Sequence, residues 1–306
     1  MSYINDIREL IGNTPLLKIN NFQLPKDVNL FAKLEYLNPG GSVKDRIGMA
    51  MIAEAEKSGL LQPSSTIIEA TAGNTGLGVA MAALNSGYRV IFAVPEKFSI
   101  EKITLMKALG AEIVITPRET GMLGAQEKAQ QLLQEIDNSI SLKQFENAAN
   151  PDIHYRTTGP EIFAALNGKV DYFLAGAGSG GTFSGIARYL REQNPKLITI
   201  LADPHGSTMG GGEAACYNME GIGNDFIPKT MDINLVDEVV KINDAQAFEY
   251  ARLLAQKEGV LVGSSSGAAM AAALKFIVTL KTGGNIVTLF PDRGDRYLST
   301  GLFTQA

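Results

Sequence analysis

Four short segments carry the residue types that could bind an anionic ligand or perform covalent chemistry. The first, Asn38–Arg46, contains two glycines and a serine, followed by Lys44 at the start of a stretch with helical spacing. The positive end of a helix dipole disfavours an ammonium group, so an amine in this place is unusually available. Such a lysine could form a Schiff base. On this segment alone, a solvated start of a helix is the simpler interpretation.

The second segment, Glu69–Gly76, lies between a predicted strand and an alanine-rich predicted helix. Backbone N–H groups and the hydroxyls of Thr71 and Thr75 could hold a carboxylate at the helix N-terminus. The alternative is that Asn74 or Thr75 simply caps the helix.

The third segment, Gly176–Thr182, follows a strand pattern and precedes a helix pattern, and its composition is typical of a phosphate-binding turn. Gly176, Gly178 and Gly181 also satisfy G-x-G-x-x-G. The next predicted strand ends in Asp203, where a ribose-binding acid is expected. A NAD-dependent dehydrogenase is therefore an open alternative, although it gives no role to residues of the other segments.

The fourth segment, Gly263–Gly267, satisfies the G-x-S-x-G pattern of a nucleophilic serine. That interpretation requires a histidine later in the chain, and both His154 and His205 precede Ser265. A hydrolase triad is therefore excluded. The serine hydroxyls must bind something else or cap a helix that begins near Ala268.

The elements that must position these segments alternate between strand and helix patterns. Predicted strands are Leu30–Leu34, Thr66–Glu69, Val90–Val94, Ile113–Thr116, Tyr172–Ala175, Ile198–Ala202, Glu238–Lys241 and Asn285–Leu289. Predicted helices are Lys44–Ser58, Thr75–Ser86, Ile100–Leu109, Leu123–Glu135, Gly181–Glu192, Asp244–Lys257 and Ala268–Leu280. This order predicts an α/β fold with parallel sheets and ligands beyond the carboxyl ends of the strands.

The composition narrows the classes of function. The chain has 306 residues, a net charge of −5 and 45% hydrophobic residues, which fits a soluble globular protein and argues against binding nucleic acid or an anionic membrane. One cysteine and two histidines exclude a disulfide framework and multi-cysteine or histidine-rich metal sites. We expect Cys216 to be a small buried side chain. We expect no metal, no secretory signal and no membrane span, and hence a cytoplasmic location.

The four segments, in this order, resemble the cysteine synthase and cystathionine β-synthase family. The resemblance runs from Ile11–Leu16 to Asp295–Ser299. It implies the fold type II architecture of pyridoxal-phosphate (PLP) enzymes, similar to tryptophan synthase β, with two three-layer α/β/α domains. Residues 40–144 would form a smaller mobile domain that binds the substrate carboxylate, and residues 1–39 and 145–306 a larger domain that binds the cofactor. The family also implies a homodimer.

The resemblance further implies a role for each matching position. Lys44 would hold PLP as a Schiff base and move the α-proton of the substrate. The cofactor phosphate would be bound by Gly178, Ser179, Gly180, Gly181 and Thr182, the 3′-oxygen by Asn74, and the pyridine nitrogen by Ser265. The substrate carboxylate would be bound by Thr71, Ala72, Asn74, Thr75 and Gln144. Gly221, Ile222 and Gly223 would lie near its amine and leaving group. Ala72 replaces the usual serine and lacks its hydroxyl.

The implied reaction is β-replacement through an α-aminoacrylate. Segments Pro95–Lys102, Glu220–Pro228 and Pro291–Asp292 look like cystathionine β-synthase, whereas Asp295–Thr300 looks like cysteine synthase. This mixture resembles bacterial O-acetylserine-dependent cystathionine β-synthases. We therefore expect O-acetyl-L-serine as donor, serine as a poorer one, homocysteine as preferred thiol and sulfide as a second. A dedicated cysteine synthase is the alternative.

We expect neither the haem-binding extension nor the regulatory module of some cystathionine β-synthases. The C-terminal tail of serine acetyltransferase is a further expected partner, because its terminal carboxylate mimics that of the substrate.

Overall fold

The computed structural model describes residues 3–71, 73–96 and 99–304. They divide into two compact units, one of residues 3–11 and 38–149 and the other of residues 12–37 and 150–304. This division differs from the expected one, which assigned 1–39 to the larger domain. Residues 3–11 belong with the first unit because Arg8 donates hydrogen bonds to the carbonyls of Ala82 (3.1 Å) and Leu84 (3.0 Å).

The described residues form ten strands and nine α-helices. The strands are β1 (Leu16–Lys18), β2 (Val28–Leu34), β3 (Thr66–Ala70), β4 (Arg89–Pro95), β5 (Glu112–Thr116), β6 (Ser139–Ile140), β7 (Tyr172–Gly176), β8 (Ile198–Pro204), β9 (Glu238–Ile242) and β10 (Gly284–Phe290). The helices are α1 (Lys44–Lys57), α2 (Asn74–Ala82), α3 (Ile100–Ala108), α4 (Gly121–Glu135), α5 (Ala149–Ile153), α6 (Gly159–Ala165), α7 (Gly181–Gln193), α8 (Asp244–Glu258) and α9 (Ser264–Thr279). A π-helical turn, His154–Thr158, joins α5 to α6.

The sheet of the first unit has the strand order β5-β4-β3-β6, and every pair is parallel. On one face, Ile68 of β3 and Ile91 of β4 pack against Ala125 and Ala129 of α4. The small side chains of α4 let this helix lie close to the strands. Because β3 and β6 are parallel, their carboxyl ends lie at the same edge of the sheet, and so do the segments that follow them.

The sheet of the second unit has the order β1-β2-β10-β7-β8-β9, with β1 antiparallel to β2 and the other pairs parallel. Successive side chains point to opposite faces. Leu174 and Ile200 enter one core with residues of α8 and α9, while Phe173 and Leu201 enter another with residues of α7. Helices thus cover both faces, as the α/β prediction requires.

All eight predicted strands and all seven predicted helices are present, with most boundaries within about two residues and a larger offset at two helix ends. The prediction missed β1 and β6, which have three and two residues. It also missed the run of helix from α5 through α6, because Pro151 and Gly159-Pro160 interrupt its pattern. The expected start of the last helix near Ala268 was wrong, since α9 begins at Ser264. Cys216 is exposed rather than buried.

No helix among the described residues is long and apolar enough to cross a membrane.

Helices α1 and α2 contact each other through glycine. A methyl group on Gly78 of α2 would overlap the carbonyl group of Lys44, and one on Gly48 of α1 would overlap the carbonyl group of Gly78. Two backbones can approach this closely only without side chains between them. The first turn of α1, which carries Lys44, is therefore held directly against α2.

We expect Gly78→Ala to lower the free energy of unfolding by about 3 kcal/mol, because the new methyl group must displace the backbone at Lys44. Urea denaturation would measure the loss. Gly59→Ala is the control: a methyl group there meets nothing within 4 Å. Its backbone φ of +75° alone should cost about 1 kcal/mol. Equal losses in the two variants would show that the helix contact is not tight.

Candidate active site

Lys44 is the first residue of α1 and is half-buried. The turn before it closes through a 2.7 Å hydrogen bond from Gly41 N to the carbonyl of Asn38. The backbone N–H of Lys44 donates to Ser42 Oγ at 3.2 Å. The glycine turn therefore presents this lysine at a helix start, as the sequence predicts.

The segment between β3 and α2 forms the second predicted binding turn. Thr71 is buried, and its Oγ1 accepts a hydrogen bond from Gly73 N at 3.5 Å. The N-cap of α2 is Gly73, which has no side-chain hydrogen bond to offer. The alternative that Asn74 or Thr75 caps this helix was therefore wrong. A helix start of this kind can bind an anion through the amides of its first turn. Ala72 lies outside the described residues.

Gln144 joins this turn from a distant part of the chain. Thr75 Oγ1 donates a 2.6 Å hydrogen bond to Gln144 Oε1. Because α2 also contacts the first turn of α1, the first unit brings together one half of the predicted site. Its described members are Lys44, Thr71, Asn74, Thr75 and Gln144.

Glu69 of β3 supports the segment that carries Gln144. Its Oε1 accepts hydrogen bonds from Ser141 Oγ at 3.0 Å, from Leu142 N, and from Lys143 N at 3.2 Å. Burial raises the pKa of the Glu69 carboxyl, and these three hydrogen bonds act in the opposite direction. No role was predicted for this residue from the sequence.

The third predicted turn lies between β7 and α7 in the second unit. Gly180 has a φ of +82° and precedes the helix start at Gly181, so the chain reverses in the left-handed region that glycine favours. A methyl group on Gly178 would overlap the carbonyl oxygen of Gly221. The turn thus combines bare backbone with a helix N-terminus, which fits a compact anion such as a phosphate.

Four residues that the sequence analysis did not single out hold this turn in place. Asn150 Nδ2 donates to Ser179 Oγ at 3.0 Å, and Thr230 Oγ1 donates to the carbonyl of Ser179 at 2.5 Å. Asn224 Nδ2 donates to the carbonyl of Gly178 at 2.5 Å. The fourth is His154.

His154 lies in the π-helical turn and is fully buried. Its Nε2 is 3.1 Å from Thr182 Oγ1, and its Nδ1 is 2.8 Å from Thr158 Oγ1. The imidazole therefore fixes the rotamer of the Thr182 hydroxyl. A neutral imidazole that donates through Nε2 would leave the hydroxyl proton of Thr182 for a ligand. The only signal in the sequence was that the chain has two histidines.

The loop Gly221–Gly223 packs on the turn Gly176–Thr182, which we call the phosphate-type turn. Gly223 N donates to the carbonyl of Ala177 at 2.7 Å. Ile222 is buried, and its side chain lies against Gly176, where a methyl group would overlap it. The structure therefore brings these two predicted segments together within the second unit.

The start of α9 joins the same group through Glu220, whose backbone N–H donates to Ser264 Oγ at 3.2 Å. Ser265 is buried in the first turn of the helix. Its hydroxyl is not a cap, since the N-cap is Gly263. A cavity of about 350 Å³ lies beside this turn. Its lining includes Asn218, Glu220, Phe248, Ser264, Tyr297, Thr300 and Leu302.

Tyr297, which lines this cavity, interacts with two acidic side chains, one through a hydrogen bond and the other through its charge. Its hydroxyl donates to Asp292 Oδ2 at 2.6 Å. Burial, together with the negative charges of Asp292 and Glu220, raises the pKa of Tyr297 well above its usual value, and Arg296 acts in the opposite direction. The phenol therefore stays protonated and serves as a hydrogen-bond donor. Two of the segments that resemble cystathionine β-synthase meet here.

Asp203 has a structural role instead of the ribose-binding one. It is buried at the end of β8, and its Oδ2 accepts from Lys241 Nζ at 2.6 Å and from Gly210 N at 3.0 Å. These contacts tie the Asp203 carboxylate to the neighbouring strand β9 and to the loop that contains Gly210.

The predicted site residues thus form two groups, one in each unit. The group in the first unit has a lysine and the turn of residues 71–76, the carboxylate-type turn. The group in the second unit has the phosphate-type turn and a buried hydroxyl. Donors of these kinds are the ones that PLP and its substrate use. Across 3–71, 73–96 and 99–304, no group of three histidine, cysteine, aspartate or glutamate residues could hold a metal ion.

Comparison with known proteins gives concordant results. The chain is 52% identical over 303 residues to the O-acetylserine dependent cystathionine beta-synthase of Bacillus subtilis (strain 168), covering 99% of each chain. It is 47% identical over 305 residues to a cysteine synthase of Helicobacter pylori (strain ATCC 700392 / 26695), covering 99% of this chain and all of the relative. The crystal structure of O-acetylserine dependent cystathionine beta-synthase from Helicobacter pylori superposes with a TM-score of 0.94 at 46% identity, covering 99% and 100% of the two chains.

The model of one protein family, described as pyridoxal-phosphate dependent enzyme, matches residues 7–292. This match covers nearly the whole chain and decides against the alternative of a NAD-dependent dehydrogenase. The fold is that of the type II PLP enzymes, which agrees with the two α/β units, one with a parallel sheet and the other with a mainly parallel one. The chain belongs to the family of pyridoxal-phosphate dependent enzymes.

Proposed function

We propose that this enzyme catalyses β-replacement on O-acetyl-L-serine, with homocysteine as the preferred thiol and sulfide as a second acceptor. The observation that carries the proposal is the grouping of Lys44 with the carboxylate-type turn in the first unit. The similarity to O-acetylserine dependent cystathionine beta-synthase over 99% of both chains supports the same donor. A dedicated cysteine synthase is the second candidate, supported by the relative named for that activity.

The residues divide the work as follows. PLP, when bound, supplies an electron sink that makes loss of the α-proton and of the β-substituent feasible. Lys44 links the cofactor and moves the α-proton. The first-turn amides of α2, with Thr71, Asn74, Thr75 and Gln144, bind and orient the substrate carboxylate, and Ala72 contributes at most its backbone N–H. We assign Asn74 to the cofactor 3′-oxygen as well.

The second unit provides the cofactor's other contacts. Gly178, Ser179, Gly180, Gly181 and Thr182 hold the phosphate. Ser265 faces the pyridine nitrogen, where a hydroxyl favours a protonated ring less than a carboxylate would, and this suits elimination over transamination. We assign Gly221, Ile222 and Gly223 to the vicinity of the substrate amine and leaving group.

One acidic residue of the cavity, Glu220, favours homocysteine over sulfide. Homocysteine carries an ammonium group, and sulfide does not. Glu220 precedes Gly221 directly and lines the cavity together with Tyr297, whose pKa is raised first by burial and then by the negative charges of Asp292 and Glu220. Negative charge beside the loop Gly221–Gly223 attracts the ammonium end of this zwitterionic thiol substrate.

A cytoplasmic, homodimeric enzyme of two domains remains our expectation, with the smaller domain closing over the substrate. We also expect a serine acetyltransferase tail peptide to bind and to be displaced by O-acetylserine.

Steady-state rates with each thiol test the proposed function. With O-acetylserine as donor, we expect kcat/KM for homocysteine to exceed that for sulfide. Serine should be a slower donor, because hydroxide is a poorer leaving group than acetate. A sulfide preference of orders of magnitude would move the enzyme to cysteine synthase, and no turnover of O-acetylserine with either thiol would reject the proposal.

We expect Glu220→Gln to lower kcat/KM for homocysteine about three- to tenfold, because it removes one negative charge near the ammonium group. The rate with sulfide on the same variant is the internal control and should change less than twofold. Equal losses with both thiols would show that Glu220 supports the site without selecting the thiol.

Gly181→Ala tests the phosphate turn. A methyl group at Gly181 would overlap the side-chain amide of Asn150, which supports Ser179. We expect at least a tenfold weaker affinity for PLP, measured by the visible absorbance of reconstituted protein, because the anion contacts depend on the position of this turn. Gly59→Ala, where a methyl group meets nothing within 4 Å, should retain PLP normally. Unchanged PLP affinity in Gly181→Ala would contradict the assignment.

A further inference from the structure

Glu69 is half-buried at the end of β3, yet the proposed mechanism gives it no task. It precedes Thr71 by two residues, and its carboxylate contacts the segment that leads to Gln144. Glu69 is thus close in sequence to Thr71 and in direct contact with the residues that precede Gln144.

The strand ladder explains why a side chain is needed there. Strand β6 pairs with β3 only at Ser139 with Thr66 and at Ile140 with Ile67. After Ile140 the chain leaves the sheet, and the amides of Leu142 and Lys143 lose strand partners. Glu69 Oε1 accepts from both of them and from the hydroxyl of Ser141, so one carboxylate oxygen continues the ladder for three more residues.

The position of Gln144 depends on these bonds. It directly follows Lys143, and its Oε1 accepts the 2.6 Å hydrogen bond from Thr75 Oγ1. A carboxylate is a stronger acceptor for backbone N–H groups than a neutral amide. Loss of the Glu69 charge would weaken the bonds that hold residues 141–143. Gln144 would then be held less firmly in its hydrogen bond with Thr75 of α2.

We propose that Glu69 is a positioning residue that holds Gln144 in register with Thr75, and so sets the affinity of the enzyme for the carboxylate of its amino-acid substrate. This inference rests on the proposed function of Gln144. Glu69 itself acts only through the 141–143 segment.

The test is a double-mutant cycle on the holoenzyme with Glu69→Gln and Gln144→Ala. We expect Glu69→Gln to raise KM for O-acetylserine about tenfold, the size of effect seen when a hydrogen bond to a charged group is lost. kcat, PLP content and KM for the thiol should stay within about twofold. In the Gln144→Ala background the same substitution should raise KM by less than twofold, because coupled residues are not additive.

A matched control comes from Glu258, whose Oε1 accepts hydrogen bonds from two successive amides, Asn20 N (3.1 Å) and Asn21 N (2.7 Å). Glu258→Gln makes the same chemical change at the same kind of contact in the second unit. It should leave KM for O-acetylserine within twofold. Ser141→Ala removes only the side-chain donor to Glu69 and should raise this KM about two- to threefold, roughly the loss of one ordinary hydrogen bond.

Two results would overturn the inference. One is an unchanged KM in both Glu69→Gln and Ser141→Ala. The other is an equal rise of KM in the wild-type and Gln144→Ala backgrounds, which would mean that Glu69 acts independently of Gln144. If Glu69→Gln does not fold, Ser141→Ala decides in the same two backgrounds. Failure of the unmodified enzyme to use O-acetylserine would instead reject the proposed function.

Discussion

The main physical constraint in this molecule is that backbone N–H groups need partners outside the helix wherever a parallel strand is followed by a helix. Each helix start leaves its first amides without internal partners, and parallel sheets gather such starts at one edge. The chain uses the arrangement twice, from β3 into α2 and from β7 into α7. Neither helix start has a side-chain cap, which suits the two turns to the anionic groups that the chemistry brings, a carboxylate and a phosphate.

The glycine-rich turns carry few side chains that could fix their conformation, so neighbouring elements supply the rigidity. Asn150 and His154 hold the phosphate-type turn from outside, and Glu69 holds the segment beside the carboxylate-type turn. The three supports share one design: a polar side chain from a neighbouring element bonds to the turn or its flanking loop. Precision in the site therefore derives in part from residues outside the predicted binding set.

The sequence predicted the repeating strands, the main helices and the residues of the turns, because these depend on local periodicity and on glycine. It could not predict β6 or the π-helical turn at His154, which exist through contacts with distant parts of the chain. The helix start at Ser264 was misplaced because three serines and two glycines look like a loop when helix propensity alone is considered. The partners of Asn150, Thr230 and Glu69 were equally invisible, since each lies well over fifteen residues away in sequence.

The position of β10 in the second sheet bears on how the protein folds during synthesis. This strand lies between β2 and β7, although more than 100 residues separate it from β7 and about 250 from β2. Until the ribosome has passed residue 290, β2 and β7 have no common neighbour and each presents an unpaired edge. All strands of the first sheet are complete by residue 140. The nascent chain should therefore finish its smaller sheet early and need protection from aggregation for the larger one.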